Sequence, residues 1–145
     1  MPKKQTTTET RFVRNEDEQA LLALLKEMTD KSINFQIENV IGDKNCHAIV
    51  LENESGNVIG FGALVVHLVP AFGYVGSIED VVVGETFRGQ GLGGKLMDEL
   101  IRIAKDQKVI HIDLTSRPER VASHKLYLKK GFFLRDTGVY RLNLE

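Results

Sequence analysis

The chain has 145 residues, 42% hydrophobic and 27% charged, and its 19 basic and 20 acidic residues leave a net charge of −1. That length suits one domain burying roughly 68–70% of its unfolded surface, with no need of disulfide or metal staples. The balanced charge excludes a nucleic-acid binder held mainly by phosphate contacts, and no apolar run nears the ~20 residues of a membrane span.

In chain order, residues 1–8 are polar and threonine-rich, and a disordered tail is expected there. A short strand is expected over residues 9–14. Asn15, with Glu18 three residues on, reads as a capping box. The helix behind it carries Leu21, Leu24, Leu25 and Met28 on one stripe. Residues 32–41 suit a second short helix, closed by Gly42-Asp43. Strand patterns follow at 47–52, 58–69 and 74–83, the first two joined by the turn formers Asn53-Glu54-Ser55-Gly56-Asn57.

The second half changes character, with a glycine cluster between Gly84 and Gly94. An amphipathic helix follows, with Leu92, Leu96, Leu100 and Ile103 on one face. Residues 109–114 read as a buried strand. Pro118 suits the first turn of a helix that runs to Lys130 and stops at Gly131. Strands at 132–135 and 139–144, joined across Asp136-Thr137-Gly138, complete an α/β domain around one sheet.

The loop Arg88-Gly89-Gln90-Gly91-Leu92-Gly93-Gly94-Lys95 joins strand to helix. Glycines let a backbone approach a ligand closely, and a helix N-terminus offers free N–H groups and a positive dipole end. Together they suit a phosphate or diphosphate. Residues 89–94 match G-x-G-x-x-G, with Asp113 about twenty residues on as in a dinucleotide site. Against that pattern, Glu85-Thr86-Phe87-Arg88 separate the glycines from the strand, and too few residues follow for a second mononucleotide half. Residues 89–95 also match G-x-x-x-x-G-K, but Leu96 stands where magnesium would need a hydroxyl.

The third pattern is Arg-x-x-Gly-x-Gly, here Arg88, Gly91 and Gly93, preceded by Ile78-Glu79-Asp80-Val81-Val82-Val83 and followed later by Leu126-Tyr127-x-x-x-Gly131-Phe132. This combination resembles the GNAT superfamily of acetyl-CoA-dependent N-acetyltransferases. The motifs cover residues 78–132, and the element order extends the likeness over nearly the whole chain. The resemblance implies a GNAT fold: a mixed, mostly antiparallel sheet of about six or seven strands, helices on both faces, and one domain over residues 9–145.

It also implies a site. The acetyl-CoA diphosphate is expected on the amides of Arg88, Gly89, Gln90, Gly91, Leu92 and Gly93, with Arg88 adding charge or bracing the loop. The pantetheine arm is expected along Val81, Val82 and Val83, in a slot where that strand leaves its neighbour. An amine with a pKa near ~10.4 is mostly protonated at neutral pH, so a base must free it. Glu79 is the favoured base and Asp80 the alternative; strand alternation puts Glu79 on the Val81 face unless a bulge intervenes. Tyr127 is expected to protonate the leaving thiolate, with Arg120 and Ser123 toward the cofactor on the same helix face.

Arg120 and Ser123 stand where the family commonly has Asn and Ala. Cys46 has no evident base beside it, so an acyl-cysteine route lacks support. Phe35, Phe72, Tyr74 and His67 are candidates for the acceptor pocket. The expected partners are acetyl-CoA and an amine acceptor: an amino acid, amino sugar, polyamine or protein amine. No metal, nucleic acid or membrane is expected, a homodimer is allowed, and a cytoplasmic location fits an N-terminus with no apolar stretch. The rival reading is a non-catalytic acyl-CoA-binding regulatory module, which would keep the glycine loop and need neither Glu79 nor Tyr127.

Overall fold

The computed structural model describes residues 6–145, in two compact units, one through Thr115 and the other Ser116–Glu145. In the first unit, β1 (Thr8–Phe12), β2 (Cys46–Asn53), β3 (Val58–Val69), β4 (Gly73–Val83) and β5 (Ile112–Asp113) form one sheet in that order. The first four strands are antiparallel neighbours, and β5 runs parallel to β4. The helices of this unit are α1 (Glu18–Met28), α2 (Ile37–Gly42) and α3 (Leu92–Asp106).

Each face of the sheet has its own helix. Leu21, Leu24 and Leu25 of α1 are buried with Ala48, Val50, Phe61, Ala63 and Val82. On α3, Leu96, Met97 and Leu100 are fully buried. That helix sits close because glycines floor it: a Cβ on Gly62 would stand 3.1 Å from Leu100 Cδ1, and one on Gly60 would stand 3.2 Å from Leu96 Cδ1.

Several boundaries differ from the sequence reading. Five of the eight residues expected in the tail lie outside the described residues, while Thr8 is buried and opens β1. The turn before α1 is capped by a different residue. Asp17 Oδ2, rather than the Asn15 side chain, accepts a bond of 2.8 Å from the Arg14 N–H.

Asp17 also receives two bonds from Arg11, at 2.8 and 2.9 Å, and Arg11 Nε meets Glu52 Oε2 at 2.5 Å. These bonds tie β1, β2 and the entry to α1 together. The Arg11 guanidinium holds the Asp17 carboxyl below its usual range, against the opposing effect of burial. Stability from this pair is therefore present above the unfolded carboxylate value of ~3.9 and is lost as pH falls through the lower folded value. Asp17→Asn is expected to cost about 2–3 kcal/mol at neutral pH and to flatten the acid limb of a urea-melt series. A neutral substitution with an unchanged limb would refute that role.

In the second unit, α4 spans Val121–Lys129. Pro118 lies outside it, in a turn closed by Arg120 N–H donating to Arg117 O at 3.1 Å, because proline suits the second position of a turn as well as a first helical turn. Gly131, at φ 97, ends the helix as expected, with Phe132 N–H donating to Tyr127 O at 3.0 Å.

The expected strands at 132–135 and 139–144 do not form within the described residues, so the sheet has five strands rather than six or seven. Leu134 and Tyr140 are 95% and 97% exposed. Alternating apolar residues express a preference for a half-buried ladder, and neither segment joins the sheet formed by the described residues.

Candidate active site

β4 holds the acidic pair Glu79 and Asp80, and its register sets how they face. Phe61 pairs with Val82 and Ala63 with Glu79, so Asp80 and Val81 together face the single residue Gly62. That is a β-bulge, and it breaks strand alternation. Glu79 and Val82 lie on the α1 face, opposite Ala63 and Phe61 of that core. Val81 turns to the α3 face, where its Cγ2 would stand 3.3 Å from a Cβ on Gly62. Glu79 and Val81 therefore do not share a face, the case the sequence reading reserved for a bulge.

Asp80 adopts φ 55, a left-handed conformation that aspartate tolerates better than most residues. Asp80 is exposed as a residue, yet partial desolvation of its carboxyl, and then the charge of Glu79, raise that carboxyl above the ordinary carboxylate range. Glu79 is held differently, accepting a bond of 2.7 Å from Ser77 Oγ. The Cys46 thiol is pushed up by burial and by the charges of Asp43 and Asp80, so it is kept from the thiolate a covalent route requires.

The β4–β5 ladder has two rungs, Gly76 with Ile112 and Ser77 with Asp113, and ends there. β4 continues through residues 78–83 without that neighbour. At its end a 3-10 turn, Glu85–Phe87, leads into the glycine loop. Glu27 of α1 accepts the Glu85 N–H at 3.2 Å, and Arg88 Nε donates to Val83 O at 3.0 Å. Of its two expected roles, the Arg88 side chain takes the bracing one. The turn also explains why the dinucleotide pattern fails, since the glycines do not follow the strand directly.

Gly89 and Gly91 have φ 82 and 77, and nothing lies within 4 Å of where a Cβ on either would stand. The first bond of α3 is Lys95 N–H to Gly91 O, at 3.2 Å. Among the described residues, the amides of Leu92, Gly93 and Gly94 therefore precede the first helical bond and have no backbone partner. Open space beside left-handed glycines, partnerless amides and the positive end of a fifteen-residue helix fit a diphosphate.

The remaining expected residues lie in the second unit. Arg120 caps α4 from outside rather than standing on its face, and Ser123 and Tyr127 are one turn apart on it. Tyr127 is half-buried, with its ring 6.2 Å from that of Phe132 at 58°. Of the acceptor-pocket candidates, Phe72 and Tyr74 are exposed at the β3–β4 hairpin, while Phe35 packs against the α1-side core. Two features had no sequence signal strong enough to find them: the Ser77 bond to Glu79, and contacts from Thr6 and Thr8 to the glycine loop and α3. Among the described residues, no cluster of three or more His, Cys, Asp or Glu could hold a metal ion, and no helix is long and apolar enough to cross a membrane.

A family model for the acetyltransferase (GNAT) family matches residues 10–132, and the chain belongs to that family. It is 35% identical over 95 residues to a glucosamine 6-phosphate N-acetyltransferase of Candida albicans, a match spanning 64% of this chain and 60% of that protein. The crystal structure of a Trypanosoma brucei acetyltransferase superposes with a TM-score of 0.80 at 26% identity, covering 95% of this chain and all of that one. A Clostridium acetobutylicum predicted acetyltransferase solved with acetyl-CoA gives a TM-score of 0.76 at 21% identity, covering 95% and 97% of the two chains. The mixed five-stranded sheet with its helices is the GNAT fold.

Proposed function

We propose that this chain is an N-acetyltransferase that moves an acetyl group from acetyl-CoA to a primary amine by direct attack in a ternary complex. The observation that carries the reading is the convergence, at one end of β4, of a strand edge and α3 amides that have no backbone partner among the described residues, and a bulge that bears Asp80 next to Glu79. Acetyl-CoA supplies the thioester. The loop amides of residues 88–93 hold its diphosphate, and the main chain of Val81, Val82 and Val83 holds its amide-bearing arm.

Of the acidic pair, we choose Asp80 over Glu79 as the base. A carboxyl raised by desolvation takes a proton from an ammonium group more readily than an ordinary one. The amine nitrogen then forms its bond to the acetyl carbon as the carbon–sulfur bond breaks, the sulfur leaves with the electron pair, and the nitrogen gives its second proton to water to become the neutral amide. Main-chain N–H groups beside the bulge are suited to the charge that grows on the carbonyl oxygen. To Tyr127 we assign, on the family resemblance, the proton that neutralises the thiolate.

The Candida albicans relative makes an amino sugar phosphate the first acceptor to try, beside amino acids, polyamines and protein amines. A thiol-release assay over such a panel tests the reading, which expects turnover on at least one amine. Tight acetyl-CoA binding without turnover on any would favour the regulatory-module alternative. Tyr127→Phe is expected to lower kcat about tenfold or more, with acetyl-CoA affinity held within about twofold. Equal turnover of the variant at every pH would remove Tyr127 from the chemistry.

A further inference from the structure

We infer that the N-terminal residues Thr6 and Thr8 form a strap that sets the glycine loop, with Lys95 as its positioning residue. This rests on reading that loop as the diphosphate site. Thr6 N–H donates to Gln90 Oε1 at 2.9 Å. One turn into α3, Lys95 Nζ donates to Thr8 Oγ1 at 2.9 Å and also to the Thr8 carbonyl oxygen. Thr8 itself is buried at the start of β1, so the lysine is anchored to the sheet rather than to a loose end.

The need for such a strap follows from the loop's composition. Gly89, Gly91, Gly93 and Gly94 give its backbone more conformational freedom to lose than other residues would, and every glycine ordered on binding costs conformational entropy. Ties at the loop apex and in the first helical turn meet that cost before a ligand arrives, which raises affinity without touching the ligand. The strap also leaves the loop reachable. Thr6, Thr7, Thr8, Gln90, Gly91, Leu92 and Lys95 line an open cleft of about 480 Å³ between them.

The strap separates from a simpler role for Lys95, a direct charge contact to phosphate. Lys95→Met removes both bonds and is expected to raise the acetyl-CoA KM about tenfold with kcat changed less than about twofold. Lys95→Arg is expected to restore most of the loss. Thr8→Val keeps a β-branched residue in β1, removes only the hydroxyl, and leaves the lysine charge in place. The strap expects Thr8→Val to raise KM as well, and the double variant to lose less than the two losses combined. A lysine acting on phosphate directly would instead leave KM unchanged or lowered in Thr8→Val, and that result overturns the strap.

Amide hydrogen exchange on the ligand-free protein gives a readout that does not depend on acetyl-CoA. Faster exchange at Lys95 and the next few amides of α3, which close its first turn, in Lys95→Met supports the strap, and unchanged exchange there refutes it. Failure of the wild-type protein to bind acetyl-CoA would refute the diphosphate reading instead, and so stands apart.

Discussion

Gly91→Val is expected to weaken acetyl-CoA binding by at least about a hundredfold while the protein still folds. Gly91 caps α3 at φ 77, where a β-carbon costs about 1–2 kcal/mol before any ligand is considered, and more when it is branched. Protein atoms are not what the new side chain would strike, since nothing lies within 4 Å of its Cβ. It would fill the space the proposal gives to the diphosphate, and the relaxed backbone would turn amides out of line. Isothermal titration of wild-type and variant protein reads the effect. Affinity within about threefold of wild type would show that the cradle is misplaced.

The second large effect is expected from Asp80→Asn: a loss in kcat of about a hundredfold or more with acetyl-CoA affinity retained. Asparagine accepts the left-handed backbone at φ 55 as readily as aspartate, so the bulge survives and only the base is lost. The sign of the pH dependence follows from the raised carboxyl. The base must be ionised to work, so wild-type kcat/KM should climb through a group above the ordinary ~3.9, and the variant should lose that limb.

The same raised carboxyl weakens the fold once charged, so stability from this group is gained as pH falls from its raised value toward the ordinary one. The variant should therefore melt higher at neutral pH while turning over more slowly. If Glu79→Gln carries the loss instead and Asp80→Asn stays active, the two acids exchange roles.

How much of this was legible beforehand depends on how local each feature is. The glycine loop is written in consecutive residues, and Gly89 and Gly91 are left-handed there, as a tight turn requires. The stripes of α1 and α3 were equally plain, since helical periodicity names the buried face directly. The bulge was anticipated only from the resemblance, because it depends on Gly62 of β3 standing across from Asp80 and Val81.

Contacts between residues far apart left no trace in the sequence. Thr8 and Lys95 are 87 positions apart, and neither residue type announces a partner. Local signals misled where two outcomes share one pattern. Pro118 suits a turn or a first helical turn, and the apolar alternation of residues 132–144 asks for a ladder it does not meet within the described sheet.

The proposed function turns on main-chain amides at the start of α3 gripping a diphosphate beside an open strand edge. The most direct measurement is an amide-resolved NMR titration of the isotopically labelled protein with coenzyme A, run against NADH. Coenzyme A is expected to move the amide signals of residues 89–94 first and furthest, with residues 81–83 following, and NADH to move them little. Saturable coenzyme A binding that leaves residues 89–94 unmoved, or NADH shifting them while coenzyme A does not, would contradict it.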